Sequence, residues 1–387
     1  MVKAIKVMLI PNNVQKTKMF QYAGASRFAY NWALAREKEN YEKGGKFISD
    51  SELRKEFTKL RHSDEYAWLL NISNNVTKQA IKDACNAYKN FFKGLKKIPR
   101  FKSRKRSMPK FYQDNVKIQF SNTHVKLEGF SSSRKANKQK LNWVRLAEHG
   151  RISTDAKYMN PRISFDGLNW WISVCVEFPD CKEILNDDGV GIDLGIKDLA
   201  VCSDAVKYKN INKSQKVKKL EKQKRRLQRS ISRSYEKNKK GESYCKTNNV
   251  IKKEKLLLKR NHRLTNIRKN YLNQTISEIV NRKPRFICIE DLNVSGMMKN
   301  RHLSKVVQEQ GFFLFRKQLE YKCSDKGIQL IVADRFYPSS KLCSCCGKIK
   351  EDLKLSDRIY RCECGNMIDR DFQASINLKA YGERFAS

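Results

Sequence analysis

The sequence has no hydrophobic run long enough to cross a lipid bilayer as a helix, which takes roughly 20 apolar residues. The apolar stretch within residues 1–13 is also too short for a secretory signal peptide. Acidic residues are scarce as well, because 40 Asp and Glu stand against 81 Lys and Arg, for a formal net charge of +41. These shortages argue against a membrane or secreted protein, and we expect a cytoplasmic one.

The charge excess is too large to serve solubility alone and indicates a polyanionic partner. A membrane surface is the competing polyanion, but without an apolar span nucleic acid is the favoured partner, and a nucleoid-associated position follows. The 387 residues are enough for two or three domains with a sizeable core.

Five of the twelve cysteines lie within residues 343–364, and the others are scattered. Without an export signal, this distribution favours a reducing compartment with one metal site over a disulfide framework. Four thiolates from two short turns can close a tetrahedron around a structural zinc ion, and the predicted ligands are Cys343, Cys346, Cys362 and Cys364. The second pair is tight, with a single residue between its cysteines, and Cys345 is a spare thiol, so a strained or weak site is the alternative.

Periodicity divides the chain into alternating β and α regions. Residues 3–9 alternate polar and apolar side chains and predict a short strand, whereas residues 14–93 follow a helical period. Short strands follow over residues 110–177, which predicts a β-barrel or sandwich. Residues 180–188 are polar and form a plausible boundary.

Two strongly basic segments are candidate nucleic-acid contacts. Residues 93–106 hold eight Lys or Arg, and Pro99 prevents a helix there. Residues 213–240 hold thirteen Lys or Arg against two acids and, with residues 257–276, predict a helical hairpin with a narrow apolar seam. A solvated linker and a solvated helix face are the alternatives, but the overall charge favours phosphate contacts. The predicted contacts are Lys97, Arg100, Phe101, Lys102, Arg104, Lys224, Arg225, Arg226 and Arg229.

Three carboxylates stand at comparable positions in a predicted mixed α/β sheet. Asp193 lies in a glycine-flanked strand, Glu290 ends another strand, and Asp371 begins a helix. Convergent carboxylates without a His, Ser or Cys nucleophile suit Mg²⁺ or Mn²⁺, and two such ions roughly 3.5–4 Å apart can drive phosphodiester hydrolysis. The alternative is that each acid is separately structural, as a helix cap or an exposed strand residue.

Several motifs together resemble the TnpB family of transposon-encoded, RNA-guided DNA nucleases, which are similar to the ancestors of type V CRISPR effectors. The motifs that carry the resemblance are GIDLGIKDLA (191–200), ICIEDLNVSGM (287–297), YPSSKLCSCCG (337–347), RIYRCECG (358–365) and DRDFQASINL (369–378), with RFAYNWAL (27–34) and IPRFKSR (98–104) upstream. The resemblance therefore covers essentially the whole chain. Gln373 and Ser375 depart from it, because Asn and Ala are common at those positions.

The resemblance implies a RuvC-like, RNase H-type nuclease in which Asp193, Glu290 and Asp371 are the first, second and third catalytic acids and hold magnesium. It further implies a guide RNA from the transposon end, and double-stranded target DNA beside a short motif, with sequence read mainly by base pairing. It gives no oligomeric state. The expected domains are a first wedge strand (1–13), a helical recognition domain (14–95), a β-barrel wedge domain (96–185), a RuvC-like domain with the basic hairpin (186–338), a zinc ribbon (339–366) and the end of the RuvC-like domain (367–387).

Other functions remain open at this point. The main alternative is an RNA-guided DNA-binding protein that does not cut. A structural RNA-binding zinc protein would not need three acids at element ends. A transposase that joins DNA strands fits the catalytic fold type, but the resemblance argues against it, since TnpB proteins accompany a separate transposase.

Overall fold

The computed structural model describes residues 2–130, 141–179, 183–354 and 356–386. The chain forms two compact units that meet in sequence between residues 179 and 180, close to the polar boundary predicted at 180–188. Residues 180–182 of that boundary lie outside the described residues. None of the helices within the described residues is long and apolar enough to cross a membrane.

The N-terminal unit begins with a strand and continues with helices, as the periodicity predicts. Its first elements are β1 (Val2–Ile10), α1 (Asn13–Glu42), α2 (Asp50–Arg61), a 3₁₀ helix (Asp64–Asn71) and α3 (Asn74–Phe92). Reciprocal side-chain caps fix two helix starts: Asn12 with Gln15 before α1, and Ser49 with Glu52 before α2. The basic segment after α3 contains no helix or strand.

A seven-stranded antiparallel sheet completes this unit. Its order is β2-β6-β7-β1-β5-β4-β3, and the two end strands do not pair with each other within the described residues, so the predicted barrel is not confirmed. Alternate residues of β7 are buried, beginning with Trp170, which belongs to the core. The helices and the sheet share one hydrophobic core. The strands after β1 are β2 (Lys110–Tyr112), β3 (Gln119–Phe120), β4 (His124–Lys126), β5 (Trp143–Leu146), β6 (Tyr158–Phe165) and β7 (Trp170–Glu177).

A five-stranded mixed sheet forms the centre of the C-terminal unit. Its order is β10-β9-β8-β13-β14, in which β8, β13 and β14 run parallel to one another and β9 runs antiparallel to β8 and β10. The five strands are β8 (Val190–Leu194), β9 (Asp198–Cys202), β10 (Lys207–Lys209), β13 (Phe286–Glu290) and β14 (Gln329–Ala333). This confirms the predicted mixed α/β sheet.

The helices and small ribbons of this unit also follow the predicted pattern. The basic hairpin consists of α4 (Gln215–Lys237) and α5 (Asn248–Asn281), with β11 (Lys239–Lys240) and β12 (Ser243–Tyr244) at its turn. Two further helices meet at Gly311, whose left-handed backbone separates them. The remaining elements are α6 (Val294–Lys299), α7 (Ser304–Gln310), α8 (Phe312–Lys326), β15 (Ile359–Arg361), β16 (Met367–Asp369) and α9 (Arg370–Phe385).

Helices cover both faces of the mixed sheet. Ile287 and Ile289 of β13 pack in a cluster with residues of α5 and α8, whereas Phe286 and Cys288 pack with Leu378 of α9. Because successive strand residues point to opposite faces, Glu290 shares the α9 face with Cys288.

Helix α9 lies unusually close to β8. A Cβ atom at Gly191 would come within 2.1 Å of the Ser375 carbonyl oxygen and 2.3 Å of the Lys379 backbone nitrogen. A Cβ atom at Gly382 of α9 would likewise come within 2.3 Å of the Phe286 ring. Glycine at these positions lets helix and sheet backbones touch, which brings the start of α9 to the ends of β8 and β13.

Replacing Gly191 by Ala should therefore destabilise the protein by about 3 kcal/mol, because the neighbouring atoms belong to backbone that cannot rotate away. Gly24→Ala is the matched control: this helical glycine has nothing within 4 Å of its ideal Cβ, so alanine should stabilise by about 0.5–1 kcal/mol. Denaturant unfolding of both variants measures the difference. Equal stabilities for Gly191→Ala and the parent would refute the close packing.

Candidate active site and metal centre

Asp193 and Glu290 occupy adjacent positions on neighbouring parallel strands. The register pairs Ile192 of β8 with Ile289 of β13, so the two acids follow one step further along. Asp193 is two residues after Gly191, whose backbone touches α9, so its side chain points to the α9 face of the sheet. Glu290 points to the same face. Asp193 also lies on a central strand, which excludes the alternative of exposure at a strand edge.

Asp371 reaches the same place from the first turn of α9. The residue that caps this helix is Asp369, whose Oδ1 accepts from the Phe372 backbone nitrogen at 3.1 Å and whose Oδ2 lies 3.4 Å from the Lys207 Nζ. Asp371 is therefore not the N-cap, contrary to the structural alternative for this residue. Its charge lies close enough to Asp193 and Glu290 to raise the pKa values of both.

Charge and burial oppose ionisation of this group. Burial raises the pKa of Asp193 well above its ordinary value, and the Glu290 and Asp371 carboxylates raise it further. Burial also raises the pKa of Glu290, although a hydrogen bond from Ser339 and the Arg370 charge act in the opposite direction. A bound cation would stabilise the ionised form of these carboxylates, because burial has removed them from water.

The neighbouring acid Asp291 has a different role. Its carboxylate accepts from Arg316 at 2.6 Å and from Arg335, and these bonds lower its pKa. It does not cap the helix that follows, because Asn293 caps α6. Each carboxylate oxygen of Asp291 therefore already has an arginine partner.

The carboxylates converge without forming a tight cage. Among the described residues, the four cysteines are the only group of three or more Cys, His, Asp or Glu whose ligand atoms all lie within 4.8 Å of one another. The three carboxylates form a less compact group than the cysteines, and they offer oxygen ligands of the kind that Mg²⁺ or Mn²⁺ prefers.

The four predicted zinc ligands lie together. The Sγ atoms of Cys343 and Cys364 are 3.6 Å apart, as are those of Cys346 and Cys362. A tetrahedral zinc with bonds of about 2.3 Å requires sulfur atoms about 3.8 Å apart, so the cluster fits a structural zinc. The tight pair thus reaches the cluster despite its single intervening residue, while Cys345 is exposed and outside it.

The first basic segment presents most of its predicted contacts to solvent. Lys97, Arg100, Phe101 and Arg104 are exposed. Lys102 instead turns inward, with its Nζ 3.0 Å from the Tyr30 ring centroid, and burial with the nearby Lys110 charge lowers its pKa to about 7. The segment borders a cleft of about 720 Å³. Residues lining it include Arg27, Arg104, Lys105, Arg106, Phe20 and Met108.

The second basic segment lies on α4. Arg225, Arg226 and Arg229 are exposed and line a cleft of about 610 Å³, whereas Lys224 is half-buried and lies 3.6 Å from Glu221. On the cleft floor Arg268 pairs with both Glu221 and Glu309, so the arginines on the rim are the ones left to solvent.

Sequence reasoning missed two residues of the carboxylate site. Ser339 donates to Glu290, and Arg370 acts electrostatically on both strand acids. Arg370 was readable as the residue between two acids of the DRD motif, whereas Ser339 precedes the cysteines by four residues and carries no local signal of its own.

Comparisons with known proteins fit this geometry. Family models match residues 1–46 ("Helix-turn-helix domain"), 173–301 ("Probable transposase") and 312–378 ("Cas12f1-like, TNB domain"). A protein of Escherichia coli K12 named "Putative RNA-guided DNA endonuclease InsQ" is 30% identical over 398 residues, covering 98% of this chain and 92% of that relative. The chain belongs to the TnpB family.

Further relatives of this TnpB family member extend the match. A Streptomyces pristinaespiralis protein named "Putative RNA-guided DNA endonuclease" is 28% identical, and the alignment covers 98% of this chain and 89% of that relative. The cryo-EM structure of a Cas12f1–sgRNA–target DNA complex has a similar fold, with a TM-score of 0.61, 12% identity and 98% of each chain covered. The fold is thus TnpB/Cas12-like. In this structure residues 1–46 comprise β1, α1 and the turn that follows α1, rather than two helices joined by a turn.

The cysteine cluster predicts a zinc stoichiometry. The protein should contain one zinc ion per chain, and Cys343→Ser should lose it together with thermal stability, since the ribbon has only a small core around Tyr360. Cys345→Ser is the matched control and should retain the metal. Elemental analysis with thermal unfolding checks both, and zinc retention in Cys343→Ser would contradict the assignment.

The carboxylate cluster predicts a gain in stability when one charge is removed. A raised pKa means that the folded protein holds its proton to a higher pH than the unfolded chain, so stability falls as pH rises from the ordinary pKa of Asp to the raised one. Asp193→Asn should therefore stabilise the metal-free protein by an amount of the order of 1 kcal/mol at neutral pH and by almost nothing below about pH 3.

The same variant separates repulsion from metal binding. Mg²⁺ or Mn²⁺ should raise the melting temperature of the parent but not of Asp193→Asn. Asp204→Asn is the control, because this exposed carboxylate pairs with Arg282 at a turn. A metal response that survives in Asp193→Asn would contradict the proposed ligand role.

Proposed function

We propose that this protein is an RNA-guided, metal-dependent DNA endonuclease of a transposon. The observation that carries the proposal is the convergence of Asp193, Glu290 and Asp371 on one face of the mixed sheet. The order of that sheet, with a β8-β9-β10 antiparallel meander extended by parallel β13 and β14, supports a RuvC-like, RNase H-type nuclease. The TnpB membership of the chain points to the same reaction.

The site would act through Mg²⁺ or Mn²⁺ ions held by the three carboxylates. When bound, two such ions supply activation of the attacking water and stabilisation of the leaving oxygen. The chain itself contributes the fixed geometry: β8 and β13 set two carboxylates side by side, and α9 adds the third. The Ser339 hydroxyl contacts this site but is engaged as a donor to Glu290, so the carboxylate arrangement is best suited to metal-assisted hydrolysis by water rather than to a covalent intermediate.

The guide RNA and the target DNA would bind the basic surfaces. The relatives named as RNA-guided DNA endonucleases and the Cas12f1 complex with RNA and target DNA support these partners. The exposed cations of residues 97–104 and of α4 supply phosphate contacts that do not depend on base sequence. We propose that the guide derives from the transposon end and that the cysteine ribbon holds structural zinc.

The decisive experiment is cleavage of a plasmid library with randomised sequence beside the target. The protein is co-expressed with its native downstream transcript, and Mg²⁺ is supplied or withheld. Asp193→Asn should reduce the cleavage rate by at least about 10³-fold, because it removes a ligand on which the chemical step depends. Asp204→Asn should cut like the parent.

Each outcome has a distinct meaning. Cutting that requires RNA and Mg²⁺ and disappears in Asp193→Asn supports the endonuclease and identifies the adjacent motif. Tight RNA-dependent DNA binding, with no cutting by the parent or any variant, overturns it in favour of a silent guided binder. Cutting that does not depend on RNA overturns the guided function.

A further inference from the structure

The segment that precedes the first cysteine touches the carboxylate site. Ser339 is almost completely buried, with 4% of its surface exposed, and its hydroxyl donates to Oε1 of Glu290. It is a direct side-chain contact to Glu290, and it comes from the chain that enters the zinc ribbon rather than from the sheet.

Two buried amides on α9 hold this segment in place. Asn377 donates to the carbonyl oxygens of Ser339 and Leu342, each at 2.7 Å, and Gln373 donates to the Leu342 carbonyl oxygen at 2.7 Å. Gln373 and Asn377 are four residues apart, so they project from one face of the helix. Both are buried, with exposures of 0% and 2%, and amides this deeply buried are costly unless their hydrogen bonds are satisfied.

The same network continues to the cysteine cluster. Oε1 of Gln373 accepts from Ser344 at 3.0 Å and from Asn366 at 3.3 Å. The Asn366 amide also lies 3.4 Å from the Sγ of Cys343, a zinc ligand. Polar contacts therefore run from a cluster sulfur through Asn366 and Gln373 to the Leu342 carbonyl oxygen. From there they continue through Asn377 to the backbone of Ser339, whose hydroxyl donates to Glu290.

We infer that the zinc ribbon positions Glu290 through Ser339, so that zinc occupancy sets the affinity of the carboxylate site for its divalent ions. This inference rests on the proposed function for the identity of the reaction, but not for the contacts. Ser339 is a positioning residue: its hydroxyl fixes one Glu290 oxygen, and the second oxygen is left for a cation. Gln373 and Asn377 make the position of Ser339 depend on the folded ribbon.

The Gln373 side chain connects the two ends of the ribbon to α9. It spans from α9 to the backbone before the first cysteine and to a residue after the last one, so it joins both ends of the ribbon. Three groups bind this single amide: the Leu342 carbonyl, the Ser344 hydroxyl and the Asn366 amide. Loss of that amide should separate the ribbon from the carboxylates without touching a zinc ligand.

The test compares Ser339→Ala, Ser339→Thr and Ser375→Ala in the full-length, zinc-loaded protein. Ser375 is the matched control, since it is equally buried but its hydroxyl donates to the Phe372 carbonyl of its own helix at 2.7 Å. Mn²⁺ affinity is measured by titration of the free ion, without any cleavage. The Mg²⁺ concentration for half-maximal cleavage is then measured with the RNA-loaded protein.

Ser339→Ala should weaken Mn²⁺ binding and raise the half-maximal Mg²⁺ concentration by roughly tenfold or more, as expected for a lost hydrogen bond to a charged group. Zinc content should stay at one ion per chain, the rate at saturating Mg²⁺ should fall less than the affinity, and Ser339→Thr should restore both values. Ser375→Ala should behave like the parent. Unchanged Mn²⁺ and Mg²⁺ values in folded Ser339→Ala would overturn the inference.

Gln373→Ala tests the connection between the ribbon and the carboxylate site. It also replaces Ser339→Ala as the test variant if Ser339→Ala does not fold. It should weaken Mn²⁺ binding in the same direction while retaining zinc, and its effect should be less than additive with that of Ser339→Ala, because both act on one path. Full additivity would overturn the ribbon connection. Failure of the proposed function is distinguishable: the parent would then not cut, yet the Mn²⁺ titrations would still separate Ser339→Ala from Ser375→Ala.

Discussion

The backbone contact between α9 and β8 is the constraint on which the C-terminal unit depends. Gly191 leaves no side chain between strand and helix, so the helix lies directly on the sheet and its first turn ends beside Asp193 and Glu290. A helix held off by one Cβ atom would carry Asp371 away from the other two acids. The same helix supplies Gln373 and Asn377, so one close approach organises both the carboxylate site and the base of the ribbon.

Electrostatics distinguishes the three converging carboxylates from acids that stabilise the fold. Burial and neighbouring carboxylates raise the pKa values of Asp193 and Glu290, so these two acids oppose folding whenever they are ionised without a cation. Nearby acids that are structural look different. Asp291 pairs with two arginines, and Asp369 caps a helix. The contrast between paired and mutually repelling acids separates the candidate ligands from their sequence neighbours.

The basic surfaces follow a different logic. Arg268 on the floor of the α4 cleft is neutralised by Glu221 and Glu309, and Lys102 is partly withdrawn from solvent, so a high local count of cations does not identify each contact. The exposed arginines on the cleft rim and along residues 97–104 are the cations that we propose as phosphate contacts.

The sequence by itself determined the order and type of most elements, because hydrophobic periodicity and caps are local. It predicted the strands that carry Asp193 and Glu290, the helix that begins at Asp371, and the four cysteines, since each is read from residues close in the chain. Only the tertiary structure decided that β8 and β13 are neighbours in register, that the seven-stranded sheet does not close within the described residues, and that Lys102 points inward. It also decided that Ser339 touches Glu290, 49 residues away in sequence. Such contacts arise from packing between distant segments, which no local pattern encodes.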